Sequence, residues 1–258
     1  MACVFFVFFG AGSVVGAVSA TSDLGPVEPV NYALSFGFSI TILAFSIGDL
    51  SGAHINPAVT VSLAVSRNLT ISRAFMYIAA QIGGGCVGGG FLYMCVEDGS
   101  YHSGIGLAAD ITPAGGFFLE FMGTLLLIFV VFNVAVWSGK PLENDIAGST
   151  ISALAPLPIG LAVLVSHLTL GPLTGCGINP ARVIGAVVWE GEDWWKGRTG
   201  DAFWIYMAGP VVAALVGPLI YGVLYGTVSP GSAGKHDSTE RAKQTGKIEV
   251  DNQVTPFK

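Results

Sequence analysis

The chain has 258 residues, 52% of them hydrophobic and only 11% charged, with a mean hydropathy of +0.67. A soluble domain carries roughly a quarter charged residues, so this composition excludes one and places the chain in a membrane. The net charge of −6 says little about partners by itself, but no basic stripe exists outside a polar tail, so no nucleic-acid partner is expected.

In chain order, the first apolar stretch covers 2–20. It lacks the basic n-region of a signal peptide and pairs with a later span, which argues against removal. Further stretches follow at 32–48, 74–95, 116–137, 153–171 and 202–226. Each is near the roughly 20 residues that cross a bilayer core as helix, giving six expected spans. They are continuously apolar rather than alternating, which disfavours a membrane β-barrel. Pro156, Pro158, Pro210 and Pro218 fall inside spans, where neighbouring helices can satisfy the freed carbonyls. Glycines and small residues at four-residue steps are expected to let helices approach: Gly12 and Gly16, Gly84 and Gly88, and Gly209, Ala213 and Gly217. Beyond 229 the chain is polar, lacks periodicity and reads as a disordered cytoplasmic tail.

Arg67, Arg73, Lys140 and the tail's Lys235, Arg241, Lys243 and Lys247 fall on one side of this arrangement. That side is expected to be cytoplasmic and to hold both termini. The opposite loops 21–31 and 96–115 carry no Lys or Arg; only Lys196 and Arg198 weaken the contrast. Cys3, Cys86, Cys95 and Cys176 lack the spacing of a zinc site or a disulfide framework, and the first three read as packing residues.

Two stretches repeat. "SGAHINPAVT" at 51–60 returns as "TGCGINPARV" at 174–183, with Gly52 over Gly175, Ile55 over Ile178, and Asn56-Pro57-Ala58 over Asn179-Pro180-Ala181. The chain therefore divides into related units, 1–110 and 116–228, followed by the tail 229–258. Three spans per unit is an odd number, so the second unit enters the membrane inverted relative to the first. The segments 57–66 and 180–189 are about ten residues each, roughly 15 Å of helix, and cannot span. Two half-helices entering from opposite faces meet near the midplane. Irregular backbone at that depth is tolerated only where protein buries it or where it lines a cavity, so a polar path is implied.

Asn is a preferred helix N-cap and Pro a preferred first helical residue, so Asn-Pro-Ala starts a helix. With the amide oxygen used for capping, the NH2 groups of Asn56 and Asn179 are left as donors facing the path. Both helix N-termini bring partial positive charge to the same place, which disfavours cations. Water accepting from both amides is turned with its hydrogens outward, interrupting a proton relay. Carbonyls of the entering loops, Gly52, Ala53 and His54 and then Gly175 through Gly177, are candidate acceptors along the path.

These two stretches resemble the signature of the aquaporin or major intrinsic protein family over nearly the whole membrane portion. The resemblance implies an all-α membrane protein with six transmembrane helices and two re-entrant half-helices in an inverted repeat. It further implies a homotetramer with one pore per subunit, embedded in lipid, conducting water. The family's filter positions fall on Phe36, His167, Cys176 and Arg182, all of the water-selective type. Arg182 has Val59 as its counterpart in the first half, so one fixed charge breaks the symmetry and is expected to repel cations. "FMYIAAQ" and "LAPLPIG" resemble segments of plasma-membrane aquaporins, making that membrane the expected location. Val183, not Asp, follows Arg182, unlike glycerol-type relatives.

There are departures. The family's fourth-helix Glu is present as Glu120, implied to support loop carbonyls, but its first-helix counterpart would lie just before Met1, so the first helix reads as shortened. Val183 replaces a usual Ser, and Tyr206 and Met207 replace an aromatic-Trp pair. Thr70, three residues after Arg67, resembles a kinase-site position, although an exposed Thr near a helix start is the plainer reading. The sequon at Asn68 lies on the inner side, which argues against glycosylation. Thr150 stands where some relatives carry a gating His, so no proton gating through that loop is expected. The alternatives are a channel for small neutral solutes such as glycerol, ammonia or hydrogen peroxide, separated by filter width, and a closed-pore protein acting in adhesion or assembly. No nucleophile with a neighbouring base, metal-ligand cluster or phosphate loop is legible, so no enzyme, metal or cofactor is expected.

Overall fold

The computed structural model describes residues 1–24, 29–97, 100–137, 153–191 and 202–225, which are helical apart from connecting turns and loops, without a strand among them. The helices are α1 (Ala2–Leu24), α2 (Pro29–Ser51), α3 (Pro57–Val65), α4 (Ile71–Tyr93), α5 (Pro113–Val131), α6 (Pro156–Thr174), α7 (Pro180–Val187) and α8 (Ile205–Leu224). A π-helical segment, Phe132–Trp137, continues α5. Five helices, α2, α4, α5, α6 and α8, are long and apolar enough to cross a membrane, and α1 contributes the shorter apolar stretch Ala2–Ala17.

Local sequence explains the starts. Thr112 caps α5, its hydroxyl accepting from Gly115 N at 3.1 Å with Pro113 following, and Pro156 occupies the first turn of α6. The helix bounds differ from the apolar runs read from sequence: α2 begins at Pro29 and ends at Ser51 rather than covering 32–48, while α8 falls inside 202–226. The half-helices stop slightly sooner than 57–66 and 180–189, at Val65 and Val187. Pro172 is a further proline inside a span that the sequence reading passed over.

The packing carries the internal symmetry. α1 lies against α2 and α4, and α5 against α6 and α8. α2 and α6 meet each other. The half-helix α3 packs on α8, in the other half of the chain, while α7 packs on α4. Exchanging α1–α4 for α5–α8 maps this pattern onto itself. The outer faces of the spans carry large exposed apolar side chains, among them Ile42, Phe75, Phe118, Leu219 and Val223, a belt suited to lipid rather than water.

Close approach depends on glycine, though not always at the expected positions. A Cβ on Gly88 would sit 2.3 Å from the Val4 carbonyl oxygen, and one on Gly217 2.5 Å from Ile128 Cγ2. Gly16, by contrast, faces nothing within 4 Å, and Gly12 makes only an ordinary contact. At the crossing of α4 and α7, a Cβ on Gly89 would lie 2.0 Å from the Gly185 oxygen. Cys3 is buried, whereas Cys86 is half-buried and Cys95 exposed, so Cys95 does not pack as read from the sequence. Lys140, Thr150, Lys196, Arg198 and the tail 229–258 lie outside the described residues.

Candidate functional site

The loops that enter α3 and α7 have the same backbone shape. Positive φ occurs at Gly52 (70°), Ala53 (43°) and Ile55 (50°), and at the aligned Gly175 (77°), Cys176 (52°) and Ile178 (41°). Left-handed conformation at non-glycine residues costs of order 1–3 kcal/mol each, so the surroundings must hold both loops in place. At Gly175 a side chain is excluded twice over, by its φ and by the Gly104 oxygen, which would lie 1.9 Å from a Cβ.

The asparagines provide part of that hold. Asn56 Oδ1 accepts from Ala58 N at 2.8 Å, while Asn179 Oδ1 accepts from Ala181 N at 3.0 Å and Arg182 N at 3.3 Å. Their amide nitrogens reach across the molecule. Asn56 Nδ2 donates to the Ile178 carbonyl at 2.9 Å and Asn179 Nδ2 to the Ile55 carbonyl at 2.8 Å. Each Asn thus caps its own half-helix and ties it to the opposite loop. An amide has two N–H donors, so one per Asn remains beyond this brace.

Further supports differ between halves. Glu120, fully buried, accepts from Gly177 N at 2.9 Å, Ile178 N at 2.6 Å and the Thr174 hydroxyl at 2.6 Å. Held by their N–H groups, the planar peptides before Gly177 and Ile178 have their carbonyls turned the other way. Thr174 Oγ1 accepts from Cys176 N at 3.1 Å, and the Tyr206 hydroxyl donates to the Thr174 carbonyl at 2.7 Å. In the first half, no described carboxylate meets the loop; Cys3 Sγ lies 3.8 Å from the Ile55 oxygen. Side chains support that half instead. Gln81 Nε2 donates to Thr60 Oγ1 at 2.9 Å, His54 Nδ1 lies 3.2 Å from the same hydroxyl, and Tyr77 donates to the Ser51 carbonyl at 2.8 Å.

A cavity of about 610 Å³ runs from exposed Asp49 and Asn68 past His54 to Asn56, Asn179 and His167. Gly52 and Ala53 line it as well, whereas Gly175 and Gly177 do not. Beyond it three of the four filter candidates converge. The Phe36 ring stacks on the His167 imidazole with centroids 4.2 Å apart and planes at 19°, and Arg182 Cζ lies 4.8 Å from the Phe36 centroid. Phe36, His167, Cys176 and Arg182 are each at most 1% exposed. Arg182 Nη2 donates to the Gly175 carbonyl at 3.2 Å, while Arg182 Nε and Nη1 and His167 Nε2 are buried without a hydrogen-bond partner among the described residues. At 4.2 Å the two rings are in van der Waals contact.

The segment between α4 and α5 folds over the far side of the second loop. The buried Tyr101 hydroxyl donates to the Ala186 carbonyl at 2.8 Å, Ser103 N donates to Glu190 Oε1 at 2.7 Å, and Ala108 N donates to the Leu173 carbonyl at 2.9 Å. Burial pushes the Tyr101 phenol above its usual pKa.

Comparison with known proteins agrees with this architecture. The family described as "Major intrinsic protein" matches residues 1–221. The chain belongs to the major intrinsic protein family. Among relatives of this family, "Probable aquaporin PIP2-6" of Oryza sativa subsp. japonica is 36% identical over 220 residues, covering 83% of this chain and 75% of the relative. "Aquaporin PIP-type" of Atriplex canescens is 35% identical over 218 residues, covering 83% and 74%. The solved aquaglyceroporin from Plasmodium falciparum superposes with a TM-score of 0.70 at 23% identity, covering 85% of this chain and 91% of that one, a likeness of fold. Major intrinsic proteins are channels, not enzymes, and this chain is a multi-pass integral membrane member.

The sequence-predicted residues are brought together at two levels: Asn56 and Asn179 at the half-helix junction, and Phe36, His167 and Arg182 at the second, while Cys176 packs with Leu170 and Ile178 in the loop before α7. Sequence reasoning missed the Ile55 and Ile178 carbonyls and the supports Thr174, Gln81 and Tyr206. The aligned Ile residues were the available signal, but nothing in the sequence says that each accepts from the other half.

Proposed function

We propose that this family member is a passive water channel, moving water down an osmotic gradient while excluding protons and ions. The observation that carries the reading is the pair of half-helix N-termini, each capped by an Asn whose amide reaches the opposite loop beside the cavity. One further N–H of each amide is available to water there, and both helix dipoles present their positive ends. Asn56-Pro57-Ala58 and Asn179-Pro180-Ala181 are the junction in this reading. Gly52, Ala53, His54, Gly175 and Gly177 supply carbonyls along the path. Phe36, His167, Cys176 and Arg182 form the filter, with the unpartnered nitrogens of His167 and Arg182 as its donors and the guanidinium charge repelling cations. Relatives named as plasma-membrane-type aquaporins support water as the permeant and the plasma membrane as the location.

The units 1–110 and 116–228 act as the two inverted halves, with both termini and the Asp49–Asn68 end of the cavity on the cytoplasmic side. The apolar belt serves lipid on part of its circumference and neighbouring subunits of a homotetramer on the rest. A second reading starts from the packing of Phe36 against His167 and Arg182 at the end of the cavity, where a closed-pore protein would be sealed. Liposomes containing the purified protein, challenged with an impermeant osmolyte and separately with glycerol, separate the readings. Fast shrinkage with glycerol excluded is expected; glycerol entry supports the small-solute channel, and shrinkage at the rate of empty liposomes supports the closed pore.

A further inference from the structure

We infer that Gly10 of α1 sets the aperture of the filter by receiving the edge of the Phe36 ring, a positioning role for a residue that touches no permeant. This rests on the reading of Phe36 as a filter wall. A Cβ built on Gly10 would lie 2.1 Å from Phe36 Cε1, 2.5 Å from Cδ1 and 2.7 Å from Cζ. No real Cβ tolerates such distances, so the ring occupies the space that any other residue at position 10 would fill. Phe6, one turn earlier on α1, meets the same ring edge-on at a centroid distance of 5.5 Å. The ring therefore backs onto α1 through Phe6 and Gly10 and fronts onto His167 from α6 and Arg182 from α7, at 4.2 Å and 4.8 Å.

Little slack exists on the front side. Restoring ordinary contact with a Cβ at Gly10 requires the ring to retreat by more than roughly an ångström, and every such move off α1 carries it further over His167 and Arg182. The filter then narrows or jams, because its donors lie behind those contacts. Gly10 differs in this from the other tight glycines. Gly88 meets the Val4 backbone and Gly89 the Gly185 backbone, where a methyl group would separate helices rather than move a pore-lining ring. The exposed Gly16, on the same helix, has nothing within 4 Å.

The test is osmotic shrinkage and glycerol uptake in liposomes containing the full chain with Gly10→Ala, Phe36→Ala, both together, Gly16→Ala or Gly88→Ala. Gly10→Ala is expected to lower water permeability by roughly tenfold or more, the scale set by overpacking a filled site. The double variant lacks every ring atom that the new methyl would strike, and is expected to conduct water again and admit glycerol. Gly16→Ala is expected to match the parent, and Gly88→Ala to lose folded protein. Unchanged permeability in Gly10→Ala overturns the inference, as does a double variant that stays closed, since a helix-packing role is not relieved by trimming Phe36. Should Gly10→Ala fail to fold, the double variant decides alone: it must fold and conduct. If Phe36→Ala by itself alters neither water nor glycerol flux, it is the filter reading that falls instead.

Discussion

Glu120→Gln probes the hold on the second re-entrant loop with a change of one atom. In the parent, all three contacts to the carboxylate are donors: Thr174 Oγ1 and Gly177 N to Oε1, and Ile178 N to Oε2. Glutamine keeps one oxygen, which can retain the two donors on the Oε1 side. The other position becomes an NH2 group facing the Ile178 N–H, whose donor distance is now 2.6 Å. One charge-assisted hydrogen bond, worth about 1.5–3 kcal/mol, is lost, and a buried N–H is left unsatisfied at about 1–3 kcal/mol, for a combined expectation of about 2.5–6 kcal/mol. For a chain of this size that lowers Tm by roughly 5–24 °C. The assay is thermal unfolding of the purified protein in detergent, paired with water permeability in liposomes. Because Ile178 also accepts from Asn56 through its carbonyl, permeability should fall together with Tm. Cys3→Ala, which removes a single weak contact in the other half, should cost about 1 kcal/mol. A Glu120→Gln protein with parental Tm and parental permeability would refute the claim that this carboxylate holds the loop.

Three other expectations follow from the same geometry. Asn179→Ala removes the cap on Ala181 and Arg182 and leaves the Ile55 carbonyl with the weak Cys3 Sγ contact, costing about 2–4 kcal/mol by thermal unfolding, and Asn56→Ala should cost nearly as much. Arg182→Val removes the guanidinium charge beside Phe36 and His167, so conductance of monovalent cations across planar bilayers should rise while the parent stays silent. Gly89→Ala places a methyl against the Gly185 backbone and should shift the protein to aggregates in size-exclusion chromatography, unlike Gly16→Ala.

The sequence made the spans and half-helices legible because both are local. A continuous apolar run reports a span without reference to any neighbour, and Asn followed by Pro reports a helix start within three residues. The paired motif then implied two half-helices meeting, and α3 and α7 do begin at Pro57 and Pro180. What could not be read was longer in range. The Asn56 amide meets a carbonyl 122 residues away, and no local pattern encodes that partner. Gly12 and Gly16 looked like packing glycines by spacing alone, yet Gly10 makes the closest contact on that helix, because which face of α1 meets Phe36 depends on how α2 is placed. Glu120 is read from sequence as a carboxylate that supports the loop; the atoms it meets, the Gly177 and Ile178 N–H groups whose peptide planes carry the Cys176 and Gly177 carbonyls, depend on the fold.

The most direct test of the account measures water and proton movement in the same liposomes, with light scattering for volume and an entrapped pH dye for protons. The account predicts osmotic shrinkage far faster than in empty liposomes while an imposed pH gradient persists, because the Asn56 and Asn179 amides orient the passing water and break the relay. Shrinkage no faster than in empty liposomes, or a pH gradient that collapses as water flows, would contradict it.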